Sequence, residues 1–121
     1  MANPNLVNVA TITGESVCGA LTTTTTADLV TAASETLVKI NSVVIANIDG
    51  TNSATVTMGV IKSGGSVVHF ASTIAVPADA TLVLVDKNWG LYLEEGDLIE
   101  GGASANSDLT YFISYEILND E

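Results

Sequence analysis

Leu37-Val-Lys-Ile-Asn-Ser-Val-Val-Ile-Ala-Asn47, a break at Asp49-Gly50-Thr51-Asn52, then Ala54-Thr-Val-Thr-Met-Gly-Val-Ile61: two β-branched runs divided by turn residues set the pattern of this chain. The pattern continues as far as Asp97. Ser63-Gly64-Gly65 leads into Val67-Val-His-Phe-Ala-Ser-Thr-Ile-Ala-Val76. Pro77-Ala-Asp-Ala80 precedes Thr81-Leu-Val-Leu-Val85, and Leu91-Tyr-Leu93 runs into Glu94-Glu-Gly-Asp97. Such runs, separated by Gly, Asn, Asp or Pro about every eight to twelve residues, are the pattern of an antiparallel sandwich or barrel.

Working outward, Thr36 to Ala46 is the strongest strand. Its even positions Val38, Ile40, Val44 and Ala46 form one row, and its odd positions become apolar towards the end, so it belongs at the centre of a sheet. Asp49-Gly50 is a hairpin signal. In Ala54 to Ile61 the Thr row faces out. Pro77 breaks the ladder because it has no N–H to donate. Towards the C-terminus, Gly101-Gly102 reads as a bulge or bend in a strand that starts at Leu98. The strand from Leu109 to Leu118 carries one row of Leu109, Tyr111, Ile113, Tyr115 and Ile117.

Towards the N-terminus, Leu6 to Ile12 reads as a strand, Thr13-Gly14-Glu15-Ser16 as a turn, and Val17 to Thr22 as a second strand. Thr22 to Thr26 favours extended chain through its branched Cβ atoms. It is either an exposed strand or linker, or an edge that pairs with another chain. Ala27 to Glu35 reads as an irregular strand or a turn. The expected fold is an all-β antiparallel sandwich, jelly-roll-like or Ig-like, of about eight to ten strands, with a short extended N-terminal arm. Within this single domain, residues 1–36 form the arm and Thr-rich edge segment, and residues 37–121 form the sandwich core.

The chain of 121 residues has a net charge of −11, with Lys39, Lys62 and Lys87 its only cations besides the amino terminus. A phosphate backbone would be repelled, so no nucleic-acid partner is expected. No run approaches the roughly 18 apolar residues of a membrane helix, and the start lacks the pattern of a signal peptide, so no membrane partner is expected. Only 14% of residues are charged. Many outward positions carry Thr, Ser, Asn or Ala, which suits equally a surface covered in part by a partner or by further copies and an ordinary sandwich exterior.

Few residues invite chemistry. Cys18 is the single cysteine and is expected to be a small buried apolar group. His69 is the single histidine, expected to pack on a strand and not to bind metal. Glu94-Glu95-Gly96-Asp97 raises calcium, but the spacing is not that of a helix-loop-helix site. Glycosidase chemistry needs two acids across an aromatic-lined cleft, and the chain has six aromatic residues in all. No catalytic residues, metal or cofactor are expected. Trp89 either plugs one end of the sandwich or stands exposed as a partner anchor.

Three groups of residues carry a family resemblance: Lys39 to Thr57; Val76 to Lys87 with Tyr92-Leu-Glu-Glu-Gly-Asp97; and Ser104 to Glu116. Over roughly Leu37 to Glu116 the chain resembles small virion structural proteins of tailed bacteriophages, especially those infecting cyanobacteria and other marine bacteria. The resemblance implies a β-sandwich particle protein, with head decoration (cement) as the leading role. Neck, collar, tail or fibre component is the runner-up, and a host-glycan-binding sandwich the alternative of another class. It implies contacts with the major capsid protein or neighbouring virion proteins, a homo-oligomer with a trimer favoured, assembly in the host cytoplasm and a place on the particle surface. The candidate partner contacts are Asn3, Pro4, Leu6, Val7 and Val9 of the arm, Thr22, Thr23 and Thr24 of the Thr tract, and Trp89.

Overall fold

A computed structural model describes residues 11–119. The expected arm contacts Asn3, Pro4, Leu6, Val7 and Val9 lie outside the described residues. The strands are β1 (Thr11–Ala20), β2 (Asp28–Thr31), β3 (Thr36–Asn47), β4 (Ala54–Ile61) and β5 (Val67–Val76), then β6 (Thr81–Val85), β7 (Leu91–Leu93), β8 (Leu98–Ala103) and β9 (Leu109–Asn119). A single 3-10 turn, Lys87–Trp89, separates β6 from β7.

One sheet has the order β1-β9-β3-β6, with β7 pairing to β3, and the other has the order β2-β8-β4-β5. Every pair is antiparallel. β6 pairs with residues 43–46 of β3 and β7 with residues 38–40, so the two act as one interrupted strand on the same side. That order is a jelly roll, two Greek keys folded face to face. It is not the immunoglobulin arrangement, in which the first strand neighbours the second and the fifth separates it from the fourth.

β3 is central, as its two apolar faces require, but its rows are not simply even and odd. Its register with β9 shifts between Ile40 and Ser42, leaving Asn41 unpaired. One extra residue reverses the inward parity. Val38 and Ile40 are buried on one side of the bulge and Val43 and Ile45 on the other. Val44 and Ala46 therefore do not continue the row of Val38 and Ile40, as their even spacing led us to expect, and face outward instead. The core between the sheets is filled by these four with Val56, Met58, Leu93, Ile99, Leu109 and Ile113, all almost fully buried. Burial of side chains of this size is worth about 1.5–3 kcal/mol each.

Two polar latches close the ends. Buried Asn47 donates from Nδ2 to the carbonyls of Asn52 (3.1 Å) and Val76 (2.9 Å) and accepts from the Asp49 amide at 2.8 Å, which ties the β3–β4 loop to β5. At the β7–β8 turn, Asp97 is only 2% exposed. It accepts from Lys62 Nζ at 2.5 Å and from the amides of Ser63 and Glu94, both at 2.9 Å. Burial pushes the Asp97 carboxyl up, but Lys62 and the two amides outweigh it, and its pKa is lowered. Lys62 also reaches Glu94 Oε1 at 2.6 Å, and its own pKa is raised by Asp97 first and Glu94 second. The acidic turn at 94–97 is thus a structural tie to the β4–β5 hairpin.

Several expectations are corrected. Thr13-Gly14-Glu15-Ser16 is not a turn: β1 runs through it and matches β9 over ten consecutive pairs without a shift. Long-range pairing here outweighs local turn chemistry. Of the forms expected for Thr22 to Thr26, the structure shows an exposed linker and not a strand. Gly101 and Gly102 are not a bulge, since β8 keeps register with β4 from Ala103 to Leu98. They are glycines for want of room. A Cβ at Gly101 would stand 2.9 Å from Met58 Cγ, and one at Gly102 would stand 2.6 Å from the Thr24 carbonyl oxygen. Cys18 is exposed, not buried, because it lies on the outward row of an edge strand.

Candidate interaction surface

The outer face of the β1-β9-β3-β6 sheet is built from strand alternation. With β1, β9 and β3 in register, Cys18 stands beside Phe112, Phe112 beside Val44, and Val44 beside Val83 of β6. These four residues make an apolar row straight across the sheet. Phe112 is 48% exposed and Val83 56%. Two flanking rows are small: Ala20, Thr110, Ala46 and Thr81 on one side, and Ser16, Ser114 and Ser42 on the other. A shallow hollow of about 360 Å³ lies over Cys18, Val44, Ala46, Thr110 and Phe112. The face has no charged side chain in these three rows. It can exclude water against a partner without desolvating an ion, and it offers little to orient a small polar ligand.

Sequence reasoning missed this row. The signal was present in β9, where Phe112 interrupts the polar outward row of Thr110, Ser114 and Glu116. It could not be connected to Val44 without the bulge at Asn41, nor to Cys18 without an unbroken β1.

The residues singled out from sequence lie elsewhere and apart from one another. The Thr22–Thr24 segment runs along β8 and is engaged by its own chain. The Thr22 carbonyl accepts from Ala103 N at 2.8 Å, Thr23 N donates to Asn106 Oδ1 at 2.9 Å, and Thr24 N donates to Thr22 Oγ1 at 3.2 Å. It covers β8 and presents no open ladder. Trp89 sits in the β6–β7 connection and is 54% exposed. Its turn is capped by Asp86, which accepts from Asn88 N at 2.9 Å, and ends at Gly90 in the left-handed region. Trp89 meets Phe70 edge to face, with ring centres 6.4 Å apart. It is neither a full plug nor a free anchor: one edge is used for packing and the rest is open.

Beside that pair, a groove of about 350 Å³ runs between β5 and β7 past Val68, His69, Phe70, Leu91 and Tyr92. Phe70 and Tyr92 line it, and Trp89 adjoins it through its contact with Phe70. His69 is exposed on β5. Among the described residues, no three of His, Cys, Asp and Glu come together as metal ligands. No helix among them is long and apolar enough to cross a membrane.

No protein-family model matches the chain, and no curated protein matches it. Solved structures that the chain matches include a chain of a T13 IBDV viral particle, at TM-score 0.45 and 6% identity over 92% of this chain and 32% of that one. Another is a chain from the infectious bursal disease virus Gx strain, at TM-score 0.45 and 10% identity over 93% and 33%. This chain spans about a third of the length of those chains.

Proposed function

We propose that this chain is a structural protein of a bacteriophage virion, acting as a capsid decoration or cement protein that strengthens the head through protein–protein contacts. It works as a homo-oligomer on the particle surface, bound to the major capsid protein, after assembly in the host cytoplasm. Its role is mechanical, with no catalytic step. The observation that carries this reading is the open apolar row Cys18–Phe112–Val44–Val83, flanked on both sides by rows of Ser, Thr and Ala. Covering the exposed parts of Phe112 and Val83 would contribute about 1 kcal/mol each per copy. Many copies on a lattice multiply that small gain. The jelly roll recurs in viral capsid and lectin domains, which is support by analogy of fold alone. The phage-like segments within Leu37 to Glu116 add to it.

A second reading, binding of host glycans, is favoured by Phe70 and Tyr92 in the groove with exposed Trp89 beside Phe70, where sugar rings could stack. Quenching of Trp89 fluorescence by host polysaccharide would support it.

The deciding test is the copy number per purified particle relative to the major capsid protein, by quantitative mass spectrometry. A ratio near one is the expected result. A ratio of a few per cent would move the chain to the neck, collar, tail or fibres, and absence from particles would reject the virion reading. Phe112→Ser should fold normally and lose most of its incorporation.

A further inference from the structure

A sandwich has four sheet edges, and proteins protect such edges with short strands, bulges, charges or covering loops. Three of the four are protected here. β2 has four residues and a register shift against β8. β5 has two shifts against β4, and Thr73 lies at a φ of 48°. β6 has five residues and gives way to the 3-10 turn. β1 is the exception. It is ten residues long, pairs with β9 without a shift, and contains no Pro or Lys. Its one charged side chain, Glu15, leans back over β9 to accept the Tyr115 hydroxyl at 3.3 Å. Among the described residues, no strand pairs with the other side of Ile12 to Ala20.

The open side can be assigned residue by residue. Leu21 N donates to the Leu109 carbonyl at 2.8 Å, continuing the register of Ala20 with Thr110. Backbone direction alternates along a strand. The odd residues from Thr13 to Val17 therefore bond to β9, and the amides and carbonyls of Ile12, Gly14, Ser16, Cys18 and Ala20 point outward.

We infer that β1 of one copy pairs antiparallel with β1 of a second copy about a two-fold axis, joining two five-stranded sheets into one. The strand is complementary to itself in one long register, with Ser16 on the axis. Ile12 then faces Ala20, Gly14 faces Cys18, Thr13 faces Gly19 and Glu15 faces Val17. Each larger side chain meets a smaller one or an apolar one, and the single carboxylate is kept off its own copy. Moving the register by one residue to put Glu15 on the axis would set the two carboxylates opposite each other, which is unfavourable. The contact is isologous and closes at two copies. The net charge of −11 on each chain opposes it, so the dimer strengthens as salt screens that repulsion.

This inference is independent of the virion reading, because it concerns the purified chain: a dimer absent from particles would keep one and remove the other. Sedimentation of the full chain under reducing conditions should give twice 12.4 kDa, with tighter association in roughly 0.5 M salt than in low salt. Ser16→Pro, which removes an outward N–H and leaves the β9 bonds of Glu15 and Val17 in place, should sediment as a monomer. Ser16→Asp should raise the dimer dissociation constant about tenfold or more. Mixing Ser16→Asp with Ser16→Lys chains should restore dimers, and this readout separates pairing from simple loss of fold. A monomer at every salt and concentration, a mass of three chains, or a dimer indifferent to all three variants would overturn the inference.

Discussion

The two sheets bury their inner faces alike and treat their outer sides differently. The β2-β8-β4-β5 sheet is crowded: β8 is flanked by the Thr22–Thr25 backbone on one side and by Met58 on the other, and Gly101 and Gly102 have no room for a Cβ. β5 is bulged, and Lys62 and Ser63 of the β4–β5 hairpin are tied to Asp97. The β1-β9-β3-β6 sheet is open. Its outer face has an apolar row, no strand among the described residues pairs with the outer edge of β1 from Ile12 to Ala20, and a Cβ at Gly14 would meet nothing within 4 Å. The regular open edge and the apolar row that spans four strands both belong to the second sheet, while the first offers partners chiefly the groove at β5. Stability and assembly can therefore be mutated separately.

The sharpest way to break that contrast is a pair of methyl groups. Gly102→Ala should destabilise by about 3 kcal/mol, because the new Cβ meets backbone that cannot move without dislodging the Thr22–Ala27 segment from β8. Gly14→Ala should do the reverse by about 0.5 kcal/mol, since an open strand position gains from losing glycine's unfolded-state freedom. Urea denaturation of both variants beside the natural chain reads the difference. Equal effects at the two glycines would show that the sheets are not distinct in this way.

A smaller effect comes from Asp97. Its carboxylate pKa is lowered in the fold, so the stability it confers is complete above the ordinary carboxylate range and is lost as pH falls through and below about 4. Asp97→Asn should cost roughly 2 kcal/mol at neutral pH by weakening a charged hydrogen-bond cluster. It should also flatten the loss of stability on acidification. Thermal midpoints at pH 7 and pH 3 test both; an equally steep pH dependence in the variant would remove Asp97 as the cause. The smallest effect should come from Phe112→Ser, within about 1 kcal/mol, since the ring is half exposed.

Where each part of the chain was legible follows from the range of the physics involved. β5, over Val67–Val76, and β7, over Leu91–Leu93, were readable to the residue because their ends are set by local turn chemistry at Gly64-Gly65, Pro77 and Gly96. The acidic turn at 94–97 was readable as a turn, but its partner Lys62 comes from another hairpin. Thr13-Gly14-Glu15-Ser16 has turn-like composition, yet ten ladder pairs with β9 hold it extended. Cys18 looked like core because free cysteines usually are, and only its place on an edge strand exposes it.

By itself the sequence determined the all-β class, the strands from Thr36 onward and the low density of charge. These follow from alternation, branching at Cβ and turn residues, which act over a few positions. Only the tertiary structure decided the jelly-roll order, the outward turn of Val44 and the union of Cys18, Phe112, Val44 and Val83. Each of these depends on which strand lies beside which, and a single unpaired residue, Asn41, changes the parity of all that follows it in β3. Pairing of that range is set by the closing of two sheets on one core, and no local stretch contains it.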